Sequence, residues 1–198
     1  MVFGLILLAL IVGIALFFMS IFNRLVRGKN QVQNAYAQID VQLKRRHDLI
    51  PNLVNVAKRY LTHEEDTLTK VISARNQAIS AQQNASGKLD SSQQMQQLAQ
   101  AEGGLTRALG GFYATMEAYP ELKADATIRE VMEELTNTEN RIGFARQHYN
   151  DSVMGYNNDR EVFPNNIVTG MFTFPTMSML EFDDKVAISQ APVVDMSR

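Results

Sequence analysis

The run His63-Glu64-Glu65-Asp66-Thr67 comes nearest to a metal-binding signature in this chain. A zinc hydrolase of the HExxH type needs two histidines one helical turn apart, facing the metal from one side, with the glutamate between them as general base. Thr67 stands where the second histidine belongs, so no metal is expected. His47 and His148 have no partner at ligand spacing and read as ordinary polar residues on helix faces. The chain has no cysteine, and no serine sits in a glycine-flanked elbow, so a nucleophile-and-base site has no support. Neither Gly103-Gly104 nor Gly110-Gly111 is followed by the Lys-Ser/Thr pair of a phosphate loop. The expectation is no catalytic residue, no metal and no cofactor, hence no enzyme.

The sharpest polar feature is Lys44-Arg45-Arg46. Anionic lipid headgroups attract such clusters at about 1 kcal/mol per basic side chain. Distance argues against lipid here: along a straight helix Arg45 stands roughly 35 Å beyond the apolar N-terminal run, several Debye lengths away. Pairing with carboxylates of neighbouring helices or of another copy is the favoured reading, ahead of contact with a partner and, last, of lipid. Asp40, Asp48, Glu133, Glu134 and Glu139 are the candidate counter-charges. Glu139-Asn140-Arg141 could specify register between helices.

Residues 2–22 contain no charged side chain. At about 1.5 Å per residue such a helix spans the roughly 30 Å hydrocarbon core of a bilayer. A cleavable signal would carry a basic start, a shorter apolar stretch and a small-residue cleavage site; these are missing, and no cysteine is present for acylation. The run therefore reads as an uncleaved anchor. Arg24, Arg27 and Lys29 flank it on the C-terminal side, which suits lipid headgroups and, by the positive-inside rule, puts the bulk of the chain on the cytoplasmic side of an inner membrane, crossed once. Formal net charge is −2, from 19 basic and 21 acidic residues, which gives no electrostatic footprint for nucleic acid.

Beyond the anchor, apolar residues recur at helical spacing. Val32, Tyr36, Ile39, Leu43, Ile50, Leu53, Ala57 and Tyr60 form one stripe, with Pro51 expected to kink the helix. Thr62 and Glu65 match a capping box for a second helix carrying Leu68, Val71, Ile72, Arg75 and Ile79, which fades at 83–88. Asp90 or Ser91 caps a third, with Gln94 completing a box for Ser91 and Leu98, Leu105, Leu109, Phe112 and Met116 as its stripe. Its glycine pairs indicate either close helix approach or flexibility. Pro120 ends this helix or opens the next element. Asp125 caps a fourth helix of about 35 residues whose seam runs Ile128, Val131, Leu135, Thr138, Ile142, Ala145, Tyr149, Ser152 and Tyr156. Four such stripes with short connections predict an all-α chain: an N-terminal transmembrane helix followed by a long antiparallel up-and-down bundle. The expected division is anchor 1–23, bundle 24–162 and an apolar, then flexible tail 163–198. The Met- and Phe-rich tail shows no helical period. It either packs back on the bundle or offers Phe172 and Phe174 to the membrane or a partner.

Three blocks carry a resemblance: NQVQNAYAQIDVQLKRRHDLIPNLV (30–54), AEGGLTRALGGFYATMEAYPELK (101–123) and TENRIGFARQHYNDSVMGYNNDREVFP (138–164). In this order behind an anchor, they identify the chain as resembling the LemA family of bacterial proteins. The resemblance implies a membrane helix followed by a long antiparallel helical bundle, and it implies no reaction. A tryptophan usual in the family near Tyr36 is missing; the chain has none. The expected function is a membrane-anchored helical scaffold that self-associates or gathers other membrane proteins. The alternative is a lipid-organising protein acting through Arg24, Arg27, Lys29 and the apolar tail. The enzyme reading has only His63, Glu64 and Glu139 to offer.

Overall fold

An unbroken helix leads from the apolar run into the soluble part. In the computed structural model, which describes residues 1–61 and 63–182, α1 extends over Val2–Ala57, about 84 Å at 1.5 Å per residue. Its apolar N-terminal stretch is long enough to cross a membrane, and no residue of its most apolar 18-residue window is buried against protein. The buried face begins at Ile21 and Leu25 and continues through Val32, Ile39, Leu43, Ile50 and Leu53.

The helix passes through Pro51 without interruption, and a side chain of the next helix takes up the carbonyl that proline leaves without its helical donor. Proline has no N–H to offer the carbonyl four residues back, here that of His47. Arg75 of α2 (Glu65–Ala85) donates its Nε–H to that oxygen at 2.6 Å. Gln82, two turns further along α2, donates to both the carbonyl and the carboxylate of Asp40. Together these contacts set α2 antiparallel to α1. The stripe expected for α2 is displaced: Ile72 is exposed, and Ala78, Gln82 and Ala85 face the core beside Leu68 and Val71. Thr62 lies outside the described residues. Glu64 precedes the first turn without a side-chain cap.

Gly87, at φ +76°, turns the chain after α2, a backbone conformation that glycine adopts without steric cost. Ser91 then caps α3 (Ser92–Met116) by accepting the Gln94 N–H. The box is only half made, since Oε1 of Gln94 has no partner among the described residues. Pro120 opens a short helix, α4 (Pro120–Ala124). Asp125 accepts the N–H groups of Thr127 and Ile128 at the start of α5 (Ala126–Glu161). Its buried face is the expected seam, with Val153 added and Ala145 only half-buried.

α5 returns antiparallel along α1, from Tyr60–Asp125 through Tyr36–Tyr149 to Arg24–Asp159. At the membrane end Gly28 lets the two helices approach; a Cβ there would stand 3.2 Å from Cδ2 of Tyr156. No Cβ at Gly103, Gly104, Gly110 or Gly111 would meet another helix within 4 Å, so close approach is not what those pairs provide.

The tail differs from expectation by containing a helix, α6 (Asn165–Met171). Beyond it, the chain runs back along α5, held by paired amide contacts. Asn157 bonds both the N–H and the carbonyl of Met177, and Asn150 does the same for Leu180. Asn150 and Asn157 lie two turns apart and so share one face. Tyr149 donates to the Ser178 carbonyl at 2.7 Å. The expected flexible end, 183–198, lies outside the described residues.

Candidate functional site

Between Leu43 and Ile50 the buried stripe of α1 is carried by Arg46 and His47, each 2% exposed. Between Leu98 and Leu105, that of α3 is carried by Glu102, fully buried. The three meet. One oxygen of the Glu102 carboxylate accepts from Nε2–H of His47 at 2.8 Å, and the other accepts from the Arg46 guanidinium at 3.3 Å. Arg46 also reaches Glu139 of α5 at 3.2 Å and donates to Oγ1 of Thr106 at 2.7 Å. Burial pushes the nearby Tyr113 hydroxyl above its usual pKa, with the Arg46 charge opposing and Glu139 adding.

This polar layer divides two apolar cores. The membrane-distal core contains Ile50, Leu53, Leu105, Phe112 and Leu135; the proximal one contains Ile39, Leu98, Ile142, Tyr149 and Tyr156. Sliding α1 or α3 by one turn would strand a buried charge, which costs several kcal/mol. The layer therefore holds α1 and α3 in one register, and α5 joins it through the half-exposed Glu139. Arg46, His47 and Glu102 are closed off from solvent, Nε of Arg46 has no partner among the described residues, and Glu139 is the member that faces outward.

A second assembly stands where α1 leaves its apolar run. Val168 of α6 and Phe174 are buried against Ile21 and Leu25, with Phe18, Phe22 and Val26 packed around them. The Phe22 ring lies edge-on to Phe172 and Phe174, at centroid distances of 5.0 and 5.4 Å. Arg24 holds the Asp159 carboxylate through two nitrogens, Nε at 3.0 Å. Arg160 donates to the Phe174 carbonyl at 2.8 Å. The result is a collar of α5, α6 and tail around the base of the apolar helix.

A profile of the LemA family matches residues 35–196. The chain belongs to the LemA family. Among individual relatives, the magnetosome protein MamQ of Magnetospirillum gryphiswaldense is 26% identical over 151 residues, covering 69% of this chain and 56% of the relative. Magnetosome protein MamQ 1 of Paramagnetospirillum magneticum is 26% identical over 153 residues, with the same coverage. Protein LemA of Metamycoplasma hominis is 23% identical over 146 residues, covering 74% of this chain and 62% of the relative. The chain spans little more than half the length of the curated relatives it matches.

The basic cluster of this LemA protein splits three ways. Lys44 is exposed and makes no ion pair among the described residues. Arg45 pairs with Glu134 across α1 and α5. Arg46 turns into the core, so its place among surface interaction candidates is corrected: a charge with this burial meets only its own bundle. Phe174 is corrected likewise, being 7% exposed under Phe22, whereas Phe172 keeps an outward face. Of the carboxylates proposed for the cluster, Glu134 and Glu139 engage it; Asp40 binds Gln82 instead. Arg27 is exposed, and Lys29 borders a cleft of about 390 Å³ with Gln33, Tyr36 and Asp90. His63 lies in the turn before α2, and no three metal-ligating side chains converge among the described residues.

Sequence reasoning missed Glu102 and His47 as buried partners and Gly28 as the close approach. The first two carried a signal: each sits in a seven-residue gap of an apolar stripe, at the position that completes the three-four spacing. Gly28 had none, because only the partner helix reveals it.

Proposed function

We propose that this membrane-associated LemA protein is a helical scaffold that self-associates along the groove between α1 and α5. It holds copies, or other membrane proteins, beside the bilayer without making or breaking a bond. One observation carries the reading. In the groove lined by Ala37, Gln38, Arg141 and His148, Val41 and Phe144 are 61% and 74% exposed, although both sit on the bundle's two longest helices. Large apolar side chains held outward on a rigid frame suit contact with another protein surface. The basic flank Arg24, Arg27 and Lys29 supports an orientation with the bundle on the cytoplasmic side of an inner membrane.

The chain has no cysteine, so a single introduced thiol reports its own neighbours. Phe144→Cys in native membranes should cross-link to a second copy through a short bis-maleimide. Gln77→Cys, on the outer face of α2, should cross-link far less. A monomer with no captured neighbour at position 144 refutes self-association through this face.

A further inference from the structure

No charged residue stands between Glu161 and Glu181. This second uncharged stretch is brought by the fold to the end of the first. Inward, Val168 and Phe174 close on Ile21 and Leu25. Outward, Phe163 is 79% exposed, Met171 70%, Phe172 52% and Ile167 44%. Four large apolar side chains on one short segment are an unusual surface to leave in water.

We propose that α6 and its flanks form an apolar foot that enters the headgroup–acyl boundary of the leaflet from which α1 emerges. The occupant of this surface is lipid because the patch is continuous with the membrane span itself. Phe22 closes the uncharged N-terminal run and is the residue that packs on Phe172 and Phe174. Phe18, a turn deeper, packs against the same cluster. The height of the foot is therefore fixed by contact with α1. Interfacial helices bury their apolar face about 5–10 Å into this boundary.

Two of the polar side chains that would resist entry are satisfied internally, while the Asn166 amide and Thr173 hydroxyl are exposed. The Asn165 amide donates to the Asp159 carbonyl at 2.7 Å, and the Thr169 hydroxyl bonds the carbonyl of Asn166 at 3.1 Å. Arg24 and Arg160 lie at the same level, held by Asp159 and by the Phe174 carbonyl, where guanidinium groups meet phosphate. The bundle then touches the bilayer at two points, span and foot, and a body attached at two points cannot turn freely about α1. This sets which way the α1/α5 groove faces in the plane of the membrane.

The inference rests on residues 2–22 lying in the bilayer, and the test separates the two. Full-length protein is reconstituted into phosphatidylcholine–phosphatidylglycerol vesicles with an environment-sensitive fluorophore on one introduced cysteine: Ile167→Cys, Met171→Cys, Leu10→Cys or Gln77→Cys. The exposed positions 167 and 171 leave the packing untouched. Labels there should emit to the blue of the 77 label, lose intensity to lipids carrying a nitroxide near the headgroup, and be shielded from aqueous iodide. Iodide quenching at 167 and 171 equal to that at 77, with the Leu10 label shielded, overturns the foot and leaves the span standing. Shielding of 167 and 171 from both iodide and lipid nitroxides overturns it in favour of a protein cover. Iodide reaching the Leu10 label removes the span and the foot together.

Discussion

Arg75 stands in for a backbone donor that Pro51 lacks, and the substitution pair that shows this is Arg75→Met with Pro51→Ala. In the wild type the His47 carbonyl accepts from Nε of Arg75 at 2.6 Å, in a partly buried site against α1. Removing a charged donor from a carbonyl that Pro51 leaves without its usual helical partner costs about 1.5–3 kcal/mol. For a chain of this size that lowers the melting temperature by roughly 5 °C. With alanine at position 51 the helix supplies its own N–H to the same oxygen, and the ring clash disappears. Pro51→Ala alone should therefore stabilise the protein. Arg75→Met in that background should cost only the lost packing of its stem, under about 0.5 kcal/mol, since most of the penalty was the orphaned carbonyl. Unfolding of the four proteins in detergent, followed by far-ultraviolet circular dichroism, gives the coupling directly. Equal losses from Arg75→Met in both backgrounds would show that Arg75 does not replace the donor missing at Pro51.

Glu102→Ala strands Arg46 and His47 in the core, with only Glu139 and Thr106 left to Arg46. It should cost about 3–5 kcal/mol, most of it recovered in Arg46→Met/Glu102→Leu; chemical unfolding of single and double variants checks this. Gly28→Ala should be close to neutral, because the helix-propensity gain of about 1 kcal/mol offsets the contact with Tyr156. Gly28→Val adds bulk against a buried ring and should lose about 1–3 kcal/mol in the same assay. The Tyr60 hydroxyl, with the N–H groups of Ile128 and Thr127, holds the Asp125 carboxyl below its usual pKa. Because the folded value is depressed, Asp125 stabilises at neutral pH and loses that contribution as pH falls through the folded value. The melting temperature of Asp125→Ala should thus lie below wild type at pH 7, with the gap closing below about pH 4. A gap that does not vary with pH would count against the hydrogen-bonded carboxylate.

The helices were legible wherever spacing and end signals agreed. On α5, the Asp125 cap and the three-four seam from Ile128 to Tyr156 predicted both the extent and the buried face. On α2 they disagreed, and packing decided: Ile72 and Ile79 outrank Ala78 and Ala85 in hydrophobicity. Yet α1 comes close enough for small residues and Gln82 to take the core side. The polar layer was half legible. Arg46 stood in a conspicuous basic cluster, but clusters are ordinarily solvated, and nothing local paired it with Glu102 from a distant helix. Helix α6 escaped because a two-turn element has too few residues to establish a period. Its register comes from burying Val168 and Phe174 on α1.

On the proposed function, one continuous helix carries the bundle out of the lipid and copies stand together there. Imaging of the full-length protein in a lipid membrane, at a resolution that counts subunits, tests it most directly. Clustered copies touching through the α1/α5 groove, each with residues 2–22 embedded in the bilayer, are the expected result. Isolated single copies, or density for residues 2–22 outside the lipid, would contradict it.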